Sequence, residues 1–343
     1  MPAPNSDQGP QPELTDGVVV LRPWRDDDIE PARLGHDEEI RHWFGFPEVV
    51  PSREIQAAAV ERWRASYNDN RSVVNFLVEH ERRPAGWVEV RDKGDGVGDL
   101  SWGLYAGFRG RGLATRAVGL LIDYAFNELK LARLEAQTDP ANIPSLRVAQ
   151  RNGMRREGLA REFGTRDGAR TDAVLFARLA SDPPFSTPEG FRAMLNSALP
   201  RKRAIAQMLV RATDDRVLLC QLTYKKDWDL PGGVVEVGES PVLAVAREVE
   251  EELALSIKAG SLLLTDWLPP WGGWDDALCL VFDGGVHDAS VADEIVVQPR
   301  EIRSAKFCTL DEVRALAADF TARRVEAALA NLDHGPSYTE SGR

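Results

Sequence analysis

Residues 232–255 read GGVVEVGESPVLAVAREVEEELAL, and this stretch decides the fold of the C-terminal half of the chain. Its apolar side, at helical spacing, consists of Leu243, Val249 and Leu253. Its acidic residues at i, i+3 and i+4, which share one helix face, are Glu248, Glu251 and Glu252. Neighbouring carboxylates repel one another unless cations neutralise them. The cluster therefore favours Mg²⁺ or Mn²⁺, hard cations that also bind phosphates.

The spacing from Gly233 through Glu239 to Arg247 resembles the signature of the Nudix hydrolases. The resemblance implies divalent metals that activate water against a diphosphate bond of a nucleotide or other pyrophosphate substrate. The implied metal ligands are Gly233, Glu248, Glu251 and Glu252. The implied catalytic residues are Arg247, Glu251 and Glu252. Arg247 would orient the carboxylates, and Gly232 with Gly233 would let the loop wrap around metal and phosphates.

One position departs from the family pattern, because Ala254 stands where these proteins usually have glycine near the helix end. Alanine ends a helix less readily than glycine, but no ligand is implied there. A solvated acidic helix face is the alternative interpretation of the carboxylates. It does not explain the glycine, glutamate and arginine at family spacing.

Composition limits the function classes. The chain has 343 residues, 43% of them hydrophobic, and a formal net charge of −12. The length predicts about two domains. A strongly acidic chain has no basic excess with which to coat nucleic acid. No run of about eighteen apolar residues occurs, so no membrane span is expected.

Cysteine usage indicates the compartment. Cys220, Cys279 and Cys308 are widely spaced and lie in apolar, strand-like stretches. Buried free thiols are the expected state, which fits a cytoplasmic protein. The N-terminal sequence has neither the basic nor the apolar region of a secretory signal.

The apolar patterns predict two different domains of mixed α/β and α+β class. The predicted organisation is a disordered tail (1–13), a first domain (14–182), a linker with a short helix (183–203), a second domain (204–333) and a loose tail (334–343). In the first domain we predict a helix after Asp26–Asp28 and helices over residues 113–129 and 145–151. In the second, strands surround the acidic helix and two helices follow residue 310.

A glycine-rich turn, residues 108–114, joins a predicted strand to the long helix of the first domain. Glycines let the backbone approach a ligand closely, and N–H groups at a helix N-terminus bind anions. Arg109 and Arg111 can add charge-assisted hydrogen bonds. A simple turn is the alternative.

This turn resembles the acyl-CoA loop of the GNAT acetyltransferases, with Arg109, Gly112 and Ala114 in the places of the family pattern. This resemblance implies a mixed sheet flanked by helices for the first domain. The resemblance to the Nudix hydrolases implies an α/β/α sandwich for the second domain. The implied acetyl-CoA contacts are Arg109, Gly110, Arg111, Gly112, Leu113, Ala114 and Asn142. The strand over residues 100–104 would splay and bind the pantetheine arm. Residues 142–154 resemble the branch that acetylates ribosomal-protein N-termini and small amines.

Acetyl transfer to a peptide or small-molecule amine needs a neutral amine, so a base must accept a proton. Glu89 is the best candidate base, with an exposed strand glutamate as the alternative. Ser145 could protonate the departing thiolate, and Tyr105 is a second choice for that acid. Asn142 and Ser145 also fit a turn and a helix N-cap.

Substrate contacts in the second domain are less defined. Trp271 and Trp274 could stack a nucleobase or plug the loop. Asp275 or Glu294 could supply a further metal ligand or base. Lys225 and Lys226 could meet phosphates or form a solvated basic turn.

Three hypotheses follow. The favoured one is a bifunctional acetyltransferase and Mg²⁺-dependent diphosphohydrolase. The second is an acetyltransferase whose Nudix-like domain only binds a nucleotide or regulates. The third is a non-enzymatic scaffold.

Overall fold

Proline- and glycine-containing breaks in the apolar patterns separate two sets of strands, and each set forms its own sheet. The structure, a computed structural model, describes residues 9–343 and divides into Met1–Leu199, the N-terminal unit, and Pro200–Arg343, the C-terminal unit. Part of the tail predicted to be disordered, residues 1–8, lies outside the described residues. The remainder is attached, because Gln11 Nε2 donates a hydrogen bond to the main-chain oxygen of Asn75.

The N-terminal unit is a mixed sheet with helices. Its strands are β1 (Leu14–Thr15), β2 (Val20–Arg22), β3 (Val73–His80), β4 (Arg83–Gly94), β5 (Val97–Leu104), β6 (Arg133–Thr138), β7 (Arg155–Arg166) and β8 (Ala169–Leu179). Its helices are α1 (Ile29–Gly35), α2 (Glu38–Phe44), α3 (Arg53–Asp69), α4 (Leu113–Asn127), α5 (Ile143–Arg151) and α6 (Pro188–Ala198). The strand order is β1-β2-β3-β4-β5-β6-β8-β7, in which β5 and β6 are parallel.

Helix α4 supplies much of the core of this unit. Its buried side chains are Leu113, Ala117, Val118, Leu121, Ile122, Tyr124 and Ala125. They pack with buried side chains of β2 to β5 in one apolar cluster. Burial of a large aliphatic side chain stabilises a fold by about 1.5–3 kcal/mol. The packing fixes the start of α4 against the sheet, where the glycine-rich turn lies.

The segment between β2 and β3 contains more helix than the sequence predicts. We predict one helix after Asp26–Asp28, whereas the structure has α1, α2 and α3. Helices α2 and α3 begin after Asp37 and Ser52, whose side chains accept hydrogen bonds from main-chain N–H groups. These N-caps were the available sequence signal.

Helix α6 belongs to the N-terminal unit. Thr187 caps it as predicted, with Pro188 in the first turn. The helix packs on β7, where the N–H of Arg156 donates to Ser197 Oγ at 3.2 Å. The predicted linker thus contains a helix docked on the sheet, because β7, a strand the sequence analysis missed, offers it a surface.

The C-terminal unit is a second mixed sheet. Its strands are β9 (Arg203–Ala212), β10 (Val217–Leu222), β11 (Trp228–Asp229), β12 (Gly232–Val234), β13 (Leu262–Leu268), β14 (Ala277–His287), β15 (Ile302–Cys308) and β16 (Ser337–Glu340). Its helices are α7 (Pro241–Leu253), α8 (Leu310–Leu316) and α9 (Asp319–Ala330). The main order is β11-β10-β9-β14-β13-β16, with β12 beside β9 and β15 beside β10.

Two apolar cores lie on this sheet, which confirms the predicted α/β/α sandwich. One core contains Ala244, Val245, Val249 and Leu253 of α7. The other contains Val313 of α8 and Ala322, Val325 and Ala328 of α9. The assignment of Leu243 to the apolar side is wrong, since this residue is exposed. It lies two residues, about 200° of helical rotation, from the buried Val245.

The end of the chain differs from the loose tail that we predict after residue 333. Strand β16 pairs in parallel with β13. The hydroxyl of Thr339 and the N–H of Gly342 both donate to Asp266 Oδ1, at 2.8 and 2.9 Å. Asp266 is fully buried and pairs with buried Arg324 at 2.9 Å. The ion pair fixes Asp266, which holds the tail through these two hydrogen bonds. No pattern in the sequence predicts the pair.

No helix within residues 9–343 combines the length and the apolar character needed to cross a bilayer.

Candidate active sites

The glycine-rich turn leads the chain from β5 into α4. Gly110 and Gly112 have φ values of 73° and 75°, in the left-handed region that favours glycine. Gly112 immediately precedes α4, and its oxygen accepts from the N–H of Arg116. The N–H groups of residues 113–115 therefore have no acceptor within the helix. Such a helix start attracts an anion.

Strands β5 and β6 separate beside this turn. Their pairing ends at Asp99 and Glu135, so residues 100–104 have no partner on β6. The gap opens into a cleft of about 650 Å³. Its lining residues from β5, the turn and α5 include Leu100, Ser101, Trp102, Gly103, Leu104, Arg109, Gly110, Gly112, Leu113, Ala114, Asn142 and Ser145. We call this the acyl cleft. It brings most of the residues predicted to bind the cofactor into one cavity.

The two arginines of the turn do different things. Arg109 Nη1 and Nη2 donate to the carboxylate of Asp37 at 2.7 and 2.8 Å, and Nε donates to the oxygen of Leu104. This ion pair ties the turn to the start of α2. Arg111 lies 3.0 Å from His80 Nε2 and is not among the residues lining the acyl cleft. Arg109 thus lines the acyl cleft while already paired with Asp37, and Arg111 lies outside the cleft lining.

Two further arginines, Arg147 and Arg151 of α5, line the acyl cleft. The sequence analysis missed them. Their i, i+4 spacing on a predicted helix was the available signal, because residues so spaced share a face.

Asn142 and Ser145 mark the start of α5. Asn142 Oδ1 accepts from the N–H of Ser145 at 3.2 Å, so the N-cap interpretation describes this contact. Both residues also line the acyl cleft. The cap therefore fixes the first turn of α5 with Ser145 at the cavity wall.

Glu89 is a buried, well-positioned carboxylate on β4 rather than an exposed strand residue. Its Oε2 accepts from Asn75 Nδ2 at 2.9 Å, and its Oε1 accepts from Arg91 at 2.7 Å. Asn75 Oδ1 in turn accepts from Trp24 Nε1 at 2.7 Å. Glu89 is the cross-strand partner of Ser101, which lines the acyl cleft.

A second cavity, of about 350 Å³, lies on the side of Glu89. We call it the aromatic pocket. It shares Phe44 and Ser101 with the acyl cleft. Tyr105 lines the aromatic pocket and not the acyl cleft, whereas Ser145 lines only the cleft.

In the C-terminal unit, the loop before α7 lies directly on the acidic face of that helix. The N–H of Gly232 donates to Glu252 Oε2 at 3.0 Å. A Cβ on Gly233 would lie 2.5 Å from Glu248 Cδ, closer than atoms can approach. Gly232 has a φ of 134°, and a Cβ there would strike the oxygen of Ala206. Both glycines are therefore required for the loop to cradle the carboxylates.

Arg247 connects the loop to the helix. Its Nε and Nη2 donate to the carboxylate of Glu239 at 2.9 and 3.0 Å. Its Nη1 donates to Glu248 at 3.0 Å and to Glu251 at 2.9 Å. One guanidinium thus contacts three of the carboxylates in the motif.

The carboxylates on α7 are not easily ionised together. Burial raises the pKa of Glu252 to about 8, against the hydrogen bond from Gly232, and the charges of Glu248 and Glu301 raise it further. Burial also raises the pKa of Glu248, although Arg247 opposes this shift. A bound cation would favour the ionised forms.

Within residues 9–343, no three His, Cys, Asp or Glu side chains converge as a metal centre. Glu251 turns toward Arg247 and Glu252 toward Gly232, so the predicted ligands lie along one face without closing on one point. Mg²⁺ usually keeps several waters and needs only one or two carboxylates together with substrate phosphates. The donor set therefore suits this ion.

The predicted substrate contacts are scattered around the unit. Trp271 and Trp274 are both more than half exposed, so neither is a buried plug. Trp271 packs edge-on against Phe320. The guanidinium of Arg203 lies 4.8 Å from the ring centroid of Trp274. Arg203 thus covers one face of Trp274, while both tryptophans stay more than half exposed on this loop between β13 and β14.

Two of the charged candidates make contacts within the unit, and the other two are exposed. Lys225 pairs with Asp229 at 2.6 Å. Lys226 and Glu294 are exposed, and Asp275 accepts from Arg203 through its main-chain oxygen. Glu301, which the sequence analysis missed, lies close enough to raise the pKa of two α7 carboxylates. Glu301 lies far from α7 along the chain, so no motif spacing in the sequence points to it.

Comparison with known families agrees with this division. Residues 19–155 match the acetyltransferase (GNAT) domain, and residues 200–329 match the NUDIX domain. The N-terminal unit therefore contains a GNAT acetyltransferase domain and the C-terminal unit a NUDIX domain. Both families indicate enzymes.

Individual relatives resemble one unit each. "Probable N-acetyltransferase YjcK" of Bacillus subtilis is 44% identical over 73 residues, 21% of this chain and 40% of that protein. "Putative ribosomal N-acetyltransferase YdaF" of the same organism is 24% identical over 165 residues, 47% of this chain and 90% of that protein. "MutT-like protein" of Streptomyces ambofaciens is 39% identical over 59 residues, 17% of this chain and 38% of that protein.

The chain spans less than half of the length of the first curated relatives that it matches. Solved acetyltransferase structures cover about half of this chain, with TM-scores of 0.43 to 0.46.

Proposed function

We propose that the chain is a bifunctional enzyme. The N-terminal unit is an acetyl-CoA-dependent N-acetyltransferase, and the C-terminal unit is a Mg²⁺-dependent hydrolase of a nucleoside diphosphate-linked or related pyrophosphate compound. The proposal rests on the observation that each motif lies at a formed site. The turn at residues 109–114 lines the acyl cleft. The loop at Gly232 and Gly233 contacts the carboxylates of α7.

Acetyl-CoA fits the acyl cleft because the cleft offers hydrogen-bond donors where an elongated anionic thioester needs them. The N–H groups of residues 113–115 would hold the pyrophosphate. Residues 100–104, unpaired with β6, would hold the pantetheine arm. When bound, acetyl-CoA supplies the activated acyl group.

Two residues of the chain then accept and donate the protons of the reaction. Glu89 accepts the proton of the attacking amine, because its carboxylate is held in place by Asn75 and Arg91. Ser145, which lines the acyl cleft, donates toward the leaving thiolate. The acceptor is a peptide or small-molecule amine.

Mg²⁺ or Mn²⁺ fits the acidic face of α7 because burial first, and neighbouring carboxylates second, raise the pKa values of Glu248 and Glu252, and a bound cation would favour their ionised forms. Glu248, Glu251 and Glu252 would hold the metal, which when bound lowers the pKa of water and neutralises the diphosphate. Arg247 positions the loop and the helix relative to each other. Gly232 orients Glu252.

Both reactions are placed in the cytoplasm. The supporting observation is that Cys220, Cys279 and Cys308 are buried free thiols, as expected in a reducing compartment.

The second candidate is an acetyltransferase whose C-terminal unit only binds a nucleotide and regulates. The observation that favours it is the contact of Arg247 with both Glu248 and Glu251, which already neutralises part of the cluster without a metal.

A paired assay tests the proposal. Phosphate release from a nucleotide panel is measured with and without Mg²⁺, and thiol release from acetyl-CoA is measured with an amine panel. Bifunctionality predicts turnover in both assays and loss of hydrolysis with chelator. Nucleotide binding without hydrolysis, at any divalent metal, would favour the regulatory alternative.

A further inference from the structure

The aromatic pocket is a distinct cavity that none of the motifs predicts. Its walls come from α3, from the segments before and after α2, and from β4 and the end of β5. It meets the acyl cleft at Phe44 and Ser101. Glu89, the buried carboxylate, is at that junction. A group bound in this pocket would therefore present its reactive end to Glu89 and to the acyl cleft.

Aromatic rings form a large part of the pocket wall. Trp24 and Trp63 stack with ring centroids 5.1 Å apart. On the other side, Trp87 lies 5.7 Å from His36 and 5.2 Å from Phe44. Paired rings of this kind present flat, apolar faces that favour another flat or branched apolar group. The volume of about 350 Å³ suits one such group rather than a long chain.

Two polar atoms in the wall lack hydrogen-bond partners within the described residues. These are the hydroxyl of Tyr105 and Nδ1 of His36, both buried. Tyr105 itself is 4% exposed. Buried polar atoms normally have partners, so a ligand with a polar group next to its apolar part would satisfy them.

The charges around the pocket balance. Glu48 and Glu89 are matched by Arg62 and Arg91. A polyamine would bring several positive charges to a pocket that already contains two arginines. A monoamine brings a single charge, which Glu89 can meet and deprotonate.

We infer that the acceptor is a primary amine on a carbon beside an aromatic or branched apolar group, with a hydrogen-bonding group next to it. This inference rests on the proposed acetyltransferase activity. The amine nitrogen forms a bond to the thioester carbonyl carbon as the carbon–sulfur bond breaks. Its proton passes to Glu89, the thiolate leaves with a proton from Ser145, and the proton on Glu89 then returns to Ser145 through solvent. The apolar group stays among the rings.

The chemistry could belong to a peptide whose first residue is apolar or to a free amine. Steady-state acetylation of phenylalaninamide, phenylethylamine, glycinamide and spermidine separates these sources. We expect kcat/KM for phenylalaninamide to exceed that for glycinamide by at least about tenfold, since even one missing methylene in an apolar pocket has an effect of that order. A further preference for phenylalaninamide over phenylethylamine would identify the peptide-like source, and equal use would identify the free amine.

A substitution that fills the aromatic pocket tests whether the acceptor binds there. Ala59 of α3 lines the pocket, and its neighbour Ala58 is exposed and does not. Ala59→Trp should raise KM for phenylalaninamide at least about tenfold, with acetyl-CoA affinity by calorimetry unchanged. Ala58→Trp should change neither.

The inference is overturned if glycinamide or spermidine is used as well as phenylalaninamide, if Ala59→Trp leaves KM unchanged, or if acetyl-CoA binds but no aromatic amine is acetylated. Failure of the wild-type protein to bind acetyl-CoA would instead overturn the acetyltransferase proposal beneath it.

Discussion

The two sites of this chain are built from different parts of the polypeptide. The acyl cleft consists largely of main chain: the N–H groups at the start of α4 and the strand edge left where β5 leaves β6. The acidic face of α7 consists of side-chain charge, held by Arg247 and by the loop at Gly232 and Gly233.

The difference determines what each site needs before a ligand arrives. Main-chain dipoles are fixed by the fold, so the acyl cleft is complete without any ion. On α7, burial raises the pKa of Glu252 to about 8, and the charges of Glu248 and Glu301 raise it further. The first site should therefore be sensitive to backbone changes and the second to charge and metal.

The largest effect is expected at the helix start. Gly112→Asp should abolish measurable acetyl-CoA binding, because it places a non-glycine residue at a φ of 75° and a negative charge where a pyrophosphate would bind. Calorimetry with acetyl-CoA is the measurement. Gly107→Asp, at an exposed glycine outside the cleft, is the matched control. Equal affinity in the Gly112 variant and the wild type would show that the turn is only a turn.

The next effect concerns charge on α7. The double substitution Glu251→Gln and Glu252→Gln should lower the rate of Mg²⁺-dependent hydrolysis at least about a hundredfold, about 2.7 kcal/mol in activation free energy. Glutamine removes the charge but nearly keeps the shape of the glutamate side chain. Phosphate release in the folded variant is the measurement. Glu250→Gln, an exposed neighbour on the same helix, should leave the rate unchanged. An unaltered rate in the double variant would rule out the metal assignment.

A smaller loss is expected for the proposed base. Glu89→Gln should slow acetyl transfer by about a hundredfold, the lower end of the contribution of a general base, chiefly at low pH where the amine is most protonated. The amide can keep its contact with Asn75, so the fold should persist. Asp92→Asn on the same strand is the control. A pH profile identical to that of the wild type would remove Glu89 from the mechanism.

The smallest effect tests the departure from the family pattern. Ala254 ends α7 with φ 57° and ψ 25°, a left-handed conformation that costs a residue with a Cβ about 1–2 kcal/mol. Ala254→Gly should therefore raise the free energy of unfolding by about 1 kcal/mol without changing hydrolysis. Chemical denaturation provides the comparison, and a less stable glycine variant would refute the strain.

The sequence predicts the motifs of both sites because their residues are close together along the chain. The loop and carboxylates of α7 lie within residues 232–252, and the turn at residues 109–114 is continuous with its helix. The α/β/α sandwich follows from the resemblance that the α7 motif carries.

The rest depends on contacts between distant residues. Arg109 pairs with Asp37 across 72 positions, a contact that no local pattern in the sequence predicts. The Trp24–Asn75–Glu89 chain joins three elements. The aromatic pocket needs α1 to α3, of which one helix was predicted. Such pairings follow from the packed fold, and no periodicity in the sequence encodes them.

The central claim is that one chain contains two separate active sites. The most direct test measures both activities, acetyl-CoA-dependent thiol release and Mg²⁺-dependent phosphate release, in the wild type, in Gly112→Asp and in the Glu251→Gln, Glu252→Gln variant. We predict that each variant loses one activity and retains the other within about twofold, well under the 1.4 kcal/mol that corresponds to a factor of ten. Loss of both activities in either folded variant would contradict the claim, and so would hydrolysis that survives removal of the two carboxylates.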